Sequence, residues 1–212
     1  MAHYDLEEQE QIDSLKTWWK LYGNLVTTLV TAASLLAIGW QGWQWYSNNQ
    51  STKAAAVYAV FEQALDAGDA QRVKATVGEL SEQFSGTHYA AAAALLAAQS
   101  SFASGDLKSA QLQLTWVVNH ASDEFKDIAR LRLASLLLDE KSFAEAESLL
   151  NMPVAAAFQG RQKELLGDLF VAQGKAAEAK IAYGAALDKV SEKSAPVREL
   201  LQQKIDALGG AA

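Results

Sequence analysis

The sequence predicts an all-α protein in which one N-terminal transmembrane helix is followed by an α-solenoid of repeated helix pairs. Two observations carry this prediction. A long segment without a charged side chain lies between Lys20 and Lys53, and turn residues recur at a nearly constant interval after it. The composition agrees, because alanine is abundant and proline occurs only at Pro153 and Pro196. That balance favours helix throughout the chain.

Residues 21–46 are predicted to cross a membrane as a helix. About 20 mostly apolar residues span a hydrocarbon core of ~30 Å, and a helix pairs the backbone groups that lipid cannot pair. Aromatic side chains prefer the membrane interface, and they cluster at both ends of this segment: Trp18, Trp19 and Tyr22 at one end, and Trp40, Trp43, Trp45 and Tyr46 at the other. The alternative, a buried core helix of a soluble domain, does not require aromatic residues at both ends.

The sequence divides into four segments: a tail (1–20), the transmembrane helix (21–46), a short polar linker (47–53) and a repeat domain (54–212). The tail is acidic and the span closes in WQGWQWY, a poor cleavage site, so we expect an uncleaved signal anchor. Lys16 and Lys20 flank the near side of the span and Lys53 flanks the far side. This bias favours a cytoplasmic tail, with the repeat domain across the membrane.

A repeat is visible in the positions of four turn sites: Gly68-Asp69, Gly105-Asp106, Lys141-Ser142 and Gly174-Lys175. Their successive spacings are 37, 36 and 33 residues, close to the tetratricopeptide period of about 34. Small residues, which let paired helices approach closely, recur at two fixed distances from the last three turns: Ala98, Ala134 and Gly167 before them, and Ala110, Ala146 and Ala179 after them. The pattern resembles a tetratricopeptide array, and the alternative is an unrelated helical bundle that shares the period.

Local signals accompany these repeats. Gly68, Gly105 and Gly174 can take the left-handed conformation that ends a helix, and Ser142 with Glu145 fits a capping box. A last helix, about 196–208, is expected to begin at Pro196. The first unit, 52–88, is degenerate, because Phe61 and Val73 stand where small residues are expected, a departure that an end repeat can tolerate.

The sequence offers a binding surface rather than a catalytic site. It contains no cysteine and no phosphate loop, zinc-protease or serine-hydrolase motif, so we predict neither enzymatic activity nor a cofactor or metal. Its charges are spread without the basic stripe that nucleic-acid binding requires. Helical phase suggests four residues for a concave protein-binding groove: Tyr58, Gln99, Arg130 and Lys163.

The layout as a whole resembles the YfgM family, the ancillary SecYEG translocon subunits of Gram-negative bacteria. The resemblance rests on the acidic tail YDLEEQEQIDSLKTWWKLYG, the span that closes in IGWQGWQWY, and an alanine-rich repeat domain that ends in QQKIDAL. It implies a single-pass inner-membrane protein with a cytoplasmic N-terminus and a periplasmic tetratricopeptide-like domain. It also implies three partners besides membrane lipid: the SecYEG translocon, the membrane-anchored periplasmic chaperone PpiD, and the exported polypeptides passed between them.

Two other functions fit parts of the sequence. A membrane-anchored regulator could act through the cytoplasmic tail on a stress-signalling protein, because residues 1–20 carry charge and helical apolar spacing. An outer-membrane assembly factor fits less well with an uncleaved span, since such factors are commonly held by an acylated cysteine and this chain has none.

Overall fold

A computed structural model describes residues 4–209, with side chains from residue 10 onward. That part of the chain is helical, contains no β-strand, and divides into two compact units between Gln50 and Ser51. The helices are α1 (Tyr4–Asp66), α2 (Ala70–Gln83), α3 (His88–Ala103), α4 (Leu107–His120), α5 (Asp123–Asp139), α6 (Phe143–Leu150), α7 (Gln159–Ala172), α8 (Ala176–Lys189) and α9 (Ala195–Ala207), with a 3₁₀ helix (Ala156–Phe158) before α7. Residues 1–3 of the predicted tail and 210–212 of the predicted repeat domain lie outside the described residues.

The first unit contains the apolar part of α1, which exposes its large side chains. Leu36 is 75% exposed and Trp40 is 72% exposed, so this segment is not a core helix of the described chain. Its length and composition suffice to cross a membrane. The hydroxyls of Thr28, Thr31 and Ser34 each donate to the carbonyl oxygen four residues earlier, which satisfies these polar groups within the helix.

The predicted aromatic clusters are part of this exposed surface. Trp18 contacts Tyr22 with ring centroids 5.8 Å apart, and Trp43 contacts Tyr46 at 6.4 Å. Residues 47–53, which the sequence suggested as a polar linker, continue α1 without interruption. They include neither glycine nor proline, so nothing in the segment ends the helix.

The second unit consists of paired helices joined by tight turns. At the first turn, the N–H of Asp69 donates to the carbonyl of Ala64 (2.9 Å) and the N–H of Gly68 donates to that of Leu65 (3.1 Å). This pair of bonds is the Schellman motif. The same pair recurs at three further turns: Gly105-Asp106, Lys141-Ser142 and Gly174-Lys175.

Each turn needs one residue in the left-handed conformation. The three glycines have φ values of 67°, 82° and 76°, as predicted, and Lys141 takes the same role with φ 61°. A side chain at such a position costs about 1–2 kcal/mol, so the third turn forms despite this conformational cost.

The predicted capping box at Ser142 is wrong, because Ser142 occupies the N-cap of α6 without a side-chain cap bond. By contrast, Asp69 and Asp106 do cap α2 and α4. Their carboxylates extend one bond further than a serine hydroxyl and accept from backbone N–H groups in the first turns of these helices.

The core lies between the helices of each pair and between neighbouring pairs. The structure buries all six of the predicted packing residues: Ala98, Ala110, Ala134, Ala146, Gly167 and Ala179. In the first repeat, 52–88, Phe61 is fully buried and packs in a cluster with Ala90, Ala93 and Ala97 of α3. Alanines on the facing helix therefore accommodate the bulky side chain that made this repeat look degenerate.

The array closes with α9, which begins close to the predicted position, with Pro196 in its first turn, and packs against α8. Leu201 is fully buried there in a cluster with Ala179, Tyr183 and Ala186. α6 is the shortest helix of the described repeats; it ends at Leu150, and Pro153 follows in the loop. The buried side chain of Gln162 donates to the carbonyls of Leu150 and Met152, both at 2.7 Å, and so satisfies the end of α6.

The close approach of α7 and α8 at Gly167 supports a stability prediction. A Cβ atom added at Gly167 would overlap the ring of Tyr183, and that ring is held because its hydroxyl donates to Asp168 Oδ1 at 2.7 Å. We therefore expect Gly167→Ala to lower the free energy of unfolding by about 1–3 kcal/mol through overpacking. Urea unfolding of the detergent-solubilised chain, followed by far-UV circular dichroism, measures this.

Gly184→Ala is the matched control, because a Cβ atom there meets nothing within 4 Å and Gly184 lies on α8 next to Tyr183. It should leave the stability unchanged or raise it by up to about 1 kcal/mol. Equal effects of the two substitutions would contradict the role of Gly167 as a contact point.

Candidate protein-binding groove

A groove of about 480 Å³ lies between α3, α4, α5 and the start of α7. This groove is lined by twelve residues: Ala98, Gln99, Phe102, Ala110, Leu114, Ile128, Leu131, Arg132, Ser135, Leu136, Phe158 and Arg161. Its volume lies within the range of about 300–1,000 Å³ that is usual for ligand sites. It can accept one or two side chains of a partner.

The depth of the groove follows from the small residues between α3 and α4. Ala98 and Ala110 are both buried and contribute only methyl groups to its floor. Phe102 lies one turn further along α3 and is 50% exposed, while Ile128 of α5 and Phe158 of the 3₁₀ helix are half-buried. The result is an apolar depression bordered by two aromatic rings.

Two arginines and no acidic side chain line this groove. Arg132 is exposed on α5, its guanidinium donates only a long bond (3.5 Å) to the carbonyl of Leu95, and it forms no ion pair with any residue that the structure describes. Arg161, at the start of α7, pairs with Glu164 at 2.7 Å. The groove is therefore positively charged, with Arg132 as its uncompensated charge.

Behind Arg161, a partly buried ionic network fastens α9 to α7. Lys204 Nζ lies 2.9 Å from Glu164 and 2.7 Å from Asp168, and Glu164 is 5% exposed. Burial opposes ionisation of Glu164, but the hydrogen bonds from Lys204 and Arg161 outweigh it and hold the pKa of this carboxyl below its ordinary value. Burial likewise opposes the charge of Lys204, yet its bonds to Asp168 and Glu164 raise its pKa.

Of the four groove residues suggested by the sequence, Gln99 lies in the lining of the groove. Tyr58 lies elsewhere in the second unit, half-buried against Tyr89 with ring centroids 5.4 Å apart, and burial raises its pKa. Lys163 is half-buried on α7 and does not line the groove.

Arg130 does not line the groove, in contrast to the prediction. Its side chain is only 14% exposed and contacts the loop after α6. It pairs with Asp127 at 3.1 Å and donates to the carbonyl of Pro153 at 3.0 Å. Asp127 in turn accepts from the N–H of Ala155 at 2.8 Å. Arg130 and Asp127 thus hold the connection from α6 to the 3₁₀ helix instead of facing a partner.

Several lining residues were missed, among them Phe102, Ile128, Arg132 and Arg161. Equivalent positions of successive repeats recur in the lining: Ser135 lies 36 positions after Gln99, and Arg161 lies 33 positions after Ile128. The repeat offset applied to Gln99 therefore indicates Ser135, a lining residue that was not predicted. No repeat offset from a predicted residue leads to Arg132. Whether its side chain faces the groove depends on the rotation of α5 about its own axis.

The chain is similar to a family model and to several named proteins. The family model described as "Tetratricopeptide repeat-like domain" matches residues 16–210. A Neisseria gonorrhoeae protein named "Ancillary SecYEG translocon subunit" is 34% identical over 205 residues, which cover 96% of this chain and 98% of that protein. This chain belongs to that family. The resemblance and the tetratricopeptide-like all-α fold expected from the sequence are thereby confirmed.

Other members of the ancillary SecYEG translocon subunit family match over most of their length. The Haemophilus influenzae protein is 29% identical, with 85% of this chain and 88% of that protein covered. The Aggregatibacter actinomycetemcomitans protein is 26% identical, with 97% and 99% covered. No solved structure matches the chain. The residues that the family model matches, 16–210, include the apolar part of α1 as well as the repeats.

The Glu164 network predicts a pH-dependent contribution to stability. Because the folded-state pKa of Glu164 lies below its ordinary value of 4.5, its contribution is complete above that value and is lost as the pH falls through the folded-state pKa. We expect Glu164→Gln to lower the free energy of unfolding by about 1–3 kcal/mol near neutral pH. The difference from the unsubstituted chain should shrink in acid, at about pH 3.

Urea titrations at the two pH values measure this difference. Glu199→Gln, at an exposed position of α9 outside the network, is the control and should change the stability little at either pH. A deficit of Glu164→Gln that stays constant or grows in acid would contradict the depressed pKa.

Proposed function

We propose that this chain is a non-enzymatic ancillary subunit of the SecYEG translocon that passes newly exported polypeptides to periplasmic chaperones. The observation that carries the proposal is the end-to-end similarity to relatives named as ancillary translocon subunits, of which one is covered over 98% of its length. The groove supplies a binding surface suited to this task, since it is apolar, open and wide enough for side chains of an unfolded segment. In the part of the chain that the structure describes, no cluster of side chains could hold a metal ion.

The proposed orientation places the N-terminus in the cytoplasm and the repeat domain in the periplasm. The lysines that flank the span support this orientation. The proposed function also supports it, because a groove that binds exported polypeptides has to lie on the side of the membrane where they emerge. PpiD is the proposed chaperone partner. The exposed aromatic residues Trp43 and Tyr46 lie at the end of the span that would be periplasmic, where they are available to a neighbouring membrane protein or to lipid.

The absence of native cysteine makes the orientation directly measurable. Single cysteines introduced at exposed positions on either side of the span, Ser14→Cys and Ser100→Cys, can be challenged with a membrane-impermeant maleimide in intact spheroplasts. We expect labelling of Ser100→Cys alone, with Ser14→Cys labelled only after the membrane is broken. Labelling in the reverse order would overturn the proposed orientation.

Photo-crosslinking in cells tests the function itself. A photoreactive residue at Trp43 should form adducts with translocon subunits or PpiD, and one at Gln99 should form adducts with a polypeptide arrested during export. The control probe is Gln71 on α2, which is exposed but does not line the groove, and it should give no adduct with the arrested chain.

The outcomes separate the two functions that the sequence left open. Adducts at Trp43 and Gln99 support the translocon subunit. If neither position crosslinks to the export machinery, while a probe at Leu15 in the tail captures a cytoplasmic signalling protein, the regulator becomes the better explanation. Leu15 is suited to that probe because it is 65% exposed on α1.

A further inference from the structure

The charge of the groove is opposite to that of the chain. The protein carries a net charge of −7, yet the groove lining contains Arg132 and Arg161 and no carboxylate. Of these, Arg161 is compensated by Glu164, which Lys204 also contacts. Arg132 has no acidic partner among the described residues, so its charge faces the groove and whatever enters it.

The apolar part of the groove lies beside this charge. Phe102 presents half of its surface to solvent, and Ile128 and Leu131 are on α5 within one turn of Arg132. A guanidinium that lines the same groove as apolar side chains can bind a carboxylate with two parallel hydrogen bonds, and this interaction is stronger where apolar surface excludes water.

We propose that the groove binds a peptide segment in which a bulky apolar side chain lies next to a carboxylate. The apolar side chain fills the space over Ala98 and Ala110 beside Phe102, and the carboxylate pairs with Arg132. Lysine or arginine at the same place in the segment is repelled. This inference rests on the proposed function, because it names the class of exported segment that the groove selects.

Peptide binding to the full-length chain in nanodiscs of neutral phospholipid tests this directly. The probe is a fluorescent ten-residue peptide that contains two phenylalanines and two aspartates in a glycine–serine background. Two counterparts have asparagine or lysine in place of the aspartates. We expect fluorescence anisotropy to give about five- to tenfold tighter binding of the aspartate peptide than of the asparagine peptide, and weaker binding still of the lysine peptide.

Substitutions at Arg132 assign the preference to this side chain. Arg132→Gln should abolish the difference between the aspartate and asparagine peptides, while Arg132→Lys should retain part of it, because the charge remains and only the planar fork is lost. Arg72→Gln, at an exposed position of α2 outside the groove, is the matched control and should keep the full preference. Circular dichroism melting of each variant verifies that it is folded.

The apolar contact is tested in the same way. Phe102→Ala should weaken binding of all three peptides by a similar factor and leave their order unchanged, because it removes the shared apolar contact and not the charge. Raised salt should narrow the difference between the aspartate and asparagine peptides, since the pairing is electrostatic.

Three results would overturn the inference: equal binding of the three peptides, a preference that persists in Arg132→Gln, or a concentration-dependent dimer that disappears in Arg132→Gln, which would make a second copy the occupant. The proposed function is judged separately by crosslinks at Gln99. If the arrested export chain still crosslinks there while the peptides show no preference, the translocon function stands and only the charge selection is wrong.

Discussion

The fold of the repeat domain depends on how closely the two helices of each pair can approach. At Gly167, the α-carbon lies against the ring of Tyr183 and leaves no room for a methyl group. The equivalent positions in the preceding repeats carry Ala98 and Ala134, which are both buried. Because interiors are packed to crystal-like density, these small residues set the helix spacing. The spacing in turn sets the depth of the groove above Ala98 and Ala110.

Polar contacts hold the connection between α6 and α7 and the last helix, α9, in place. Around α6, the buried side chains of Asp127 and Gln162 bind the backbone of the connection to α7. At the end of the array, Lys204 joins α9 to Glu164 and Asp168. Glu164 also holds Arg161, so the network that closes the solenoid reaches the edge of the groove. Lys204, near the C-terminus, is thereby connected through Glu164 to a side chain that lines the groove.

The four predicted turns are present in the structure, whereas the predicted linker, 47–53, continues α1. The four turns were visible because a Schellman motif needs a left-handed residue, and glycine supplies it at three of them. Lys141 was found only through the period of the repeat. Of the predicted groove residues, Gln99 lines the cavity and Arg130 does not, whereas Arg132, which was not predicted, does. Two positions along a helix differ by about 200° in direction, so Arg130 and Arg132 lie on nearly opposite faces of α5.

The sequence by itself determined the local features of this protein: the apolar helix, the four turns of the repeat domain, the small residues at the helix crossings, and the family. Each depends on a short stretch of chain or on a spacing that can be counted. Only the tertiary structure decided which side chains face the groove, and that Glu164 neutralises Arg161 while Arg132 is left unpaired. Those facts depend on distances between helices that are far apart in sequence, such as the 2.9 Å from Lys204 to Glu164, which no local pattern records.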